Sequence, residues 1–152
     1  TIRDTNKKAQ SEKLNTTLND VNTKRTATLL TNISRLSEIL TKVSSRAAAA
    51  KAAGKDTSKV DAAIAKAQTD IATAKTAILA QAGKQYTATI TSENSLKSDM
   101  GKTMSQLQAD LKAVRDLVIA AQKSVSEAVK ALASALGESL TTKPATASGV
   151  RK

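Results

Sequence analysis

The chain has 152 residues and carries 24 Lys and Arg against 13 Asp and Glu, a formal net charge of +11, with no Cys, His, Phe or Trp and Tyr86 as its one aromatic residue. Without Cys there are no disulfides, thiol nucleophiles or zinc–thiolate sites, and without His the usual general base is missing. A core without large rings must be aliphatic and Ala-rich, which suits helices meeting along narrow seams rather than a rounded globule. Ala, Leu, Lys and Gln also favour helix, and Pro144 is the single strong helix breaker.

The first helix is predicted over about residues 10–53. Leu14, Leu18 and Val21 form one apolar group, and Leu29, Ile33, Leu36, Leu40, Val43, Ala47 and Ala50 form a second that steps alternately by four and three, a heptad seam. Arg25 falls between them where an apolar residue belongs, so the seam shifts or loosens there. Gly54 is placed to end the helix as a left-handed cap. Ser58-Lys59-Val60-Asp61 reads as a capping box opening the second helix, residues 58–82. Val60, Ile64, Ala67, Ile71, Ala74 and Ile78 form its seam, and Gly83 closes it.

Residues 84–92 change character. Tyr86-Thr87-Ala88-Thr89-Ile90-Thr91 alternates and is β-branched, the pattern of an extended segment. The third helix is predicted over residues 95–136, with Leu96, Met100, Met104, Leu107, Leu111, Val114, Val118, Ala121, Val125, Ala128, Leu132 and Leu136 on its seam and both Met as core filler. Gly137 is its stop, and residues 138–152 read as a disordered tail. At helical rise the first and third helices span about 60 Å each and the second about 38 Å. The extended segment adds roughly 20 Å, so it serves as a strap completing the return, with Tyr86 and Ile90 covering the first and third helices. The expected fold is an all-α, elongated, antiparallel three-helix bundle, residues 1–137, with coiled-coil-like seams.

Ile33-Ser34-Arg35-Leu36-Ser37, Arg46-Ala47 through Gly54-Lys55-Asp56, Ala65-Lys66-Ala67 and Gln81-Ala82-Gly83-Lys84 carry a resemblance. In these stretches the chain resembles uncharacterised secreted, Ala/Thr/Lys-rich helical proteins of candidate-phylum bacteria (Patescibacteria). The likeness implies export and a non-enzymatic role, and brings no functional residues with it. The first residue is Thr1, which is compatible with removal of a signal peptide and an extracellular or cell-surface location.

Chemistry has few candidates. The acids are scattered beside Lys or Arg, and Asp110, Asp116 and Glu127 read as residues of solvated faces. No spacing suggests a catalytic pair, a cofactor or a metal site. Gly101-Lys102-Thr103 mimics the end of a phosphate-binding loop, but Leu96 stands where its first glycine belongs and the tripeptide lies inside a helix. Gly101 instead suggests close approach of a neighbouring helix or a loose first turn.

Residues 1–55 hold eleven Lys and Arg against four acids. Lys24, Arg25, Arg35, Lys42, Arg46, Lys51 and Lys55 are therefore the candidate stripe for an anionic partner, be it duplex DNA, a cell-wall polymer or lipid headgroups. A solvated surface explains the same stripe. No aromatic interleaving provides a stacking platform for single strands, and no run of about 18 apolar residues would span a bilayer. Two readings follow. One is a secreted or surface structural or interaction module (spacer, adhesin stem or filament subunit) open to self-association. The other is a small basic binder of an anionic polymer. Neither involves a small-molecule substrate.

Overall fold

The computed structural model describes residues 2–88 and 95–137, with side chains from Asn6 onward. It is an all-α bundle of three helices packed against one another: α1 (Ile2–Ala52), α2 (Ser58–Ala82) and α3 (Leu96–Ala135). The start of α1 precedes the expected position near residue 10, because nothing in the polar stretch before Leu14 breaks a helix. Ile90 and the rest of the strap beyond Ala88 lie outside the described residues, as does the tail 138–152.

The terminators act locally. Gly54 has φ +90°, its N–H donates to the Lys51 carbonyl at 2.9 Å, and the Lys55 N–H reaches the Ala50 carbonyl at 3.0 Å. These two bonds are the paired closures of a Schellman motif, which needs the left-handed residue that glycine supplies. Gly137, at φ +80°, sits just past α3. The start of α2 differs from the expected capping box by two residues. The Asp56 carboxylate accepts from both the backbone N–H and the hydroxyl of Ser58, at 3.0 and 2.8 Å, and holds its own carboxyl below the ordinary value through those bonds. The Thr57 hydroxyl, on a buried residue, donates to the Asp61 carboxylate at 3.2 Å. A carboxylate placed before the helix reaches the first-turn amide more directly than one inside it. Gly101 is exposed within α3, and a Cβ there would meet nothing within 4 Å, so it does not serve a close helix approach.

Two compact units divide the chain: Thr1–Thr31 with Lys75–Asp116, and Asn32–Ala74 with Leu117–Lys152. The core of the second unit is aliphatic. Ile33, Leu40, Val43, Ala47 and Ala50 of α1 are buried there. So are Val60, Ile64, Ala67, Ile71 and Ala74 of α2, and Val118, Ala121, Val125, Ala128 and Leu132 of α3. These are the seam positions expected from the sequence. Ala67, Ala74, Ala121 and Ala128 are all 0% exposed, so small side chains occupy the tightest places, as close helix seams require. A polar tie between α2 and α3 also lies in this unit. Buried Ser124 of α3 hydrogen-bonds Asp70 of α2, and the Lys66 ammonium donates to the same carboxylate at 2.9 Å and to the Ser124 hydroxyl at 3.2 Å.

The first unit has a different interior. Leu18, Tyr86 and Leu107 form its buried apolar cluster, with Leu14 and Leu111 packed against it, and Ile78 is fully buried. Along α1, however, the positions turned inward after Leu18 are Asn22 and Thr26, at 1% and 2% exposure, while Val21 is 36% exposed. The expected step from Leu18 to Val21 is thus replaced by steps of four through Asn22 and Thr26, and Arg25 points to solvent. Steps of four rotate the buried stripe relative to a heptad, and they bring into the interior two residues that apolar periodicity ignores. Thr26 is satisfied within its own helix, its hydroxyl donating to the Asn22 carbonyl at 2.8 Å. On α3, Met104 is 43% exposed and is not core filler; buried Leu107 carries that part of the seam.

Candidate functional site

A chain segment that leaves a helix must find partners for its backbone amides or leave them wet. The described part of the strap, Lys84–Ala88, belongs to neither helix nor sheet, yet Tyr86 and Ala88 are buried while Gln85 and Thr87 are exposed. Its partners are side chains on α1. Asn19 accepts the Tyr86 N–H at 2.7 Å and donates back to the Tyr86 carbonyl at 3.3 Å, and Asn15 accepts the Ala88 N–H at 2.8 Å. Four residues of helix rise about 6 Å and two residues of extended chain rise about 6.6 Å, so the two repeats match. The asparagine amides stand in for a neighbouring strand.

The third asparagine of this row begins a buried polar network. The Asn22 Nδ2 donates to the carbonyls of Gln81 and Lys84, at 2.8 and 3.4 Å, where α2 ends and its last carbonyls need donors. The Gln81 Nε2 donates to the Asn22 Oδ1 at 2.8 Å and to the Tyr86 hydroxyl at 2.7 Å. The Tyr86 hydroxyl donates in turn to the Asp110 Oδ2 on α3 at 2.5 Å. Asp110 also accepts from Gln106 at 2.8 Å and pairs with the Lys84 ammonium at 3.4 Å. The chain of bonds joins all three helices and the strap of this unit.

Charge distribution follows from the geometry. Burial, and then the hydrogen bond to Asp110, push the Tyr86 phenol up to about 12. Burial alone would raise the Asp110 carboxyl, but the bonds from Tyr86 and Gln106 together with Lys84 outweigh it and hold it below its ordinary value. Asp110 is therefore not the solvated-face residue expected from the sequence; its side chain is only 15% exposed. Asp116 does sit on an open face, in an i, i+4 pair with Lys112 at 2.8 Å, and Glu127 is exposed.

Because Tyr86 is the sole tyrosine, its ionisation can be followed directly by phenolate absorbance. The expected midpoint is about 12, against 10.0 for an ordinary phenol. The folded value is raised, so its contribution to stability is whole below the unfolded value near 10 and is lost as pH rises through the folded one. Asp110→Asn should bring the midpoint down, since the carboxylate is one of the groups opposing the phenolate. A wild-type midpoint at the ordinary value would mean that the phenol is neither buried nor bonded to Asp110 as described.

The cationic stripe is dispersed. Lys24 and Arg25 belong to the first unit, and Arg35, Lys42, Arg46, Lys51 and Lys55 to the second; all seven are exposed. Lys51 faces Asp61 at 4.0 Å. Arg35, Lys42 and Arg46 fall within about 40° of one another around α1 at 100° per residue, and none has an ion-pair partner among the described residues.

Lys24 and Arg25 instead join two cations of α3. An open groove of about 820 Å³ runs between α1 and α3 in the first unit, with Lys24 and Arg25 on one wall and Lys112 and Arg115 on the other. The rest of its lining is mainly apolar, Leu18, Val21, Leu29, Met104, Leu107 and Leu111, with Thr17, Thr28 and Gln108 among them. Among the described residues no carboxylate lines it. Sequence reasoning found two of its four cations and treated Val21 and Met104 as core. A signal for the clasp was present in Asn15, Asn19 and Asn22, poor helix formers repeated at four and three along one stripe.

Among the described residues there is no group of acidic residues that would hold a metal ion, and no helix is long and apolar enough to cross a membrane. Compared with the models of known protein families, with the curated proteins and with the solved structures, the chain matches none.

Proposed function

We propose that the chain is a non-enzymatic structural or interaction module, exposed outside the cell or on its surface, whose helix faces are what it offers to partners. The clasp built on Asn22, Gln81, Tyr86 and Asp110 carries this reading. Tyr86 and Asp110, whose ionisation is shifted from the ordinary values, are each bonded to a neighbouring element and so join helices to the strap, although both also line an open pocket of about 430 Å³ beside Lys84 and Lys102. Asp70 is used in the same way, its carboxyl held low by the bonds from Ser124 and Lys66. Perturbed groups often mark reactive sites, but interior networks that fasten a fold perturb them equally well. The heptad seams are coiled-coil-like on this reading, and their alanines suit close helix contact rather than ligand binding.

The second reading, an anionic-polymer binder, rests on the face of Arg35, Lys42 and Arg46, which has no ion-pair partner among the described residues. Titration of the full chain with labelled duplex DNA separates the two. For a module, binding at low salt is diffuse and vanishes at physiological salt, because a few solvated cations act only through counterion release. Binding that persists at physiological salt and is abolished by combining R35E, K42E and R46E would replace the module reading with the polymer one.

A further inference from the structure

We propose that the groove between α1 and α3 of the first unit is a docking site for an acidic amphipathic helix supplied by another protein. This deepens the interaction-module reading and rests on it. The observation is that two features share this one surface. The floor offers aliphatic and thioether side chains, of which Val21 is 36% and Met104 43% exposed, while the rim is cationic on both sides. Met is adaptable and suits a surface that must accommodate a partner's side chains.

The dimensions fit a helix. The floor and walls run from Thr17 to Leu29 on α1 and from Met104 to Arg115 on α3, roughly 17–18 Å at helical rise, or about three turns of an occupant. Such an occupant would place apolar residues at i, i+3 or i+4, and i+7 on the floor, and carboxylates on its flanks against Lys24, Arg25 and Arg115. Lys112 already pairs with Asp116, whose charge also acts on Arg115, so the α3 side contributes less than Lys24 and Arg25.

Charge decides among the occupants. A second copy docked by two-fold symmetry would set one cationic rim against another, with Lys24 and Arg25 of each copy lacking a carboxylate among the described lining residues. The chain's own C-terminal residues 138–152 carry Lys143, Arg151 and Lys152 against Glu138, and are repelled likewise. A nucleic-acid backbone would satisfy the rim but would lay phosphates over Val21 and Met104, which offer it nothing. An acidic amphipathic helix satisfies rim and floor together.

The test uses the full-length ¹⁵N-labelled chain and two synthetic Ala-based helical peptides. Both carry Leu at every third or fourth position; one has Glu on the flanks and the other has Lys. Amide shifts on adding the Glu peptide are expected to concentrate on residues 17–29 and 104–115, with the Lys peptide binding at least about tenfold more weakly. Combining R25E with R115E should weaken the Glu peptide by a similar factor while the helical circular dichroism is unchanged. Both positions are exposed, and the peptide charge swap leaves the protein untouched, so a folding defect cannot imitate the result. Absence of binding, shifts located elsewhere, or equal binding of both peptides would overturn the proposal. So would tighter binding of phosphatidylglycerol vesicles or duplex DNA to the same residues at physiological salt, which would give the groove to a lipid surface or a nucleic acid. Loss of the peptide result alone leaves the module reading intact, since that reading fails only if the Arg35, Lys42 and Arg46 face holds DNA at physiological salt.

Discussion

Replacing Ala128 with Leu is expected to destabilise the protein by about 3 kcal/mol, and Ala67→Leu by a similar amount. Both alanines are 0% exposed, on α3 and α2 of the second unit, in a core where every large residue is aliphatic. An isobutyl group in place of a methyl has no void to enter at interior packing density, so the helices must separate or a neighbour must leave its rotamer. The control is Ala120→Leu, one residue before buried Ala121 and exposed, which should stay within about 0.5 kcal/mol of wild type. Urea denaturation of the three variants reads the difference. If Ala67→Leu and Ala128→Leu are as stable as the control, the seam is looser than the burial of its alanines indicates.

The second large effect belongs to the clasp. Asn22→Leu should destabilise by about 2–3 kcal/mol, although Leu is the better helix former and similar in size. The reason is the asymmetry of buried hydrogen bonds. The substitution leaves the Gln81 Nε2 without its acceptor at 2.8 Å and removes the donor to the Gln81 carbonyl, in a place where Asn22 and Gln81 are 1% and 2% exposed. Gln81→Leu in the same chain should recover part of that loss, because two apolar side chains strand fewer polar atoms than one does. A double-mutant cycle measures the coupling. Independent, additive effects would show that the two amides do not act as a unit. Phenolate titration of Asn22→Leu adds a second readout, since Gln81 also donates to the Tyr86 hydroxyl, a bond that favours the phenolate.

Both predictions turn on residues whose importance the amino-acid order reveals unequally. Ala67 and Ala128 are legible from sequence, since they recur in phase with Ile64, Ile71, Val125 and Leu132. Asn22 is not. A polar residue interrupting an apolar stripe reads as a weakness, and Val21 beside it offers a more attractive seam position. Burial of Asn22 depends on partners 59 and 62 residues away, and local periodicity contains no trace of them. The role of Asp110 is hidden from the sequence for the same reason: its bond to Tyr86 crosses from strap to helix.

The stripe of cations shows the converse. Composition revealed a basic first third of the chain, but a helix distributes its side chains around an axis, and only the packing of α1 against α3 gathers Lys24 and Arg25 with Lys112 and Arg115. Which apolar side chains remain uncovered, Val21 and Met104 among them, was likewise settled by what the neighbouring helices leave open.

By itself the sequence determined the helical class, the number of helices, and their ends near Gly54, Gly83 and Gly137, because helix propensity, aliphatic phase and, at Gly54 and Gly137, left-handed glycines act over a few residues. It also determined the alternation of the strap, inward at Tyr86 and Ala88. The tertiary structure decided which polar groups are interior and which apolar ones are not. Hydrogen bonds between elements exchange one buried amide for another at distances along the chain that no local pattern encodes, and a groove exists only where two surfaces meet without a third to cover them.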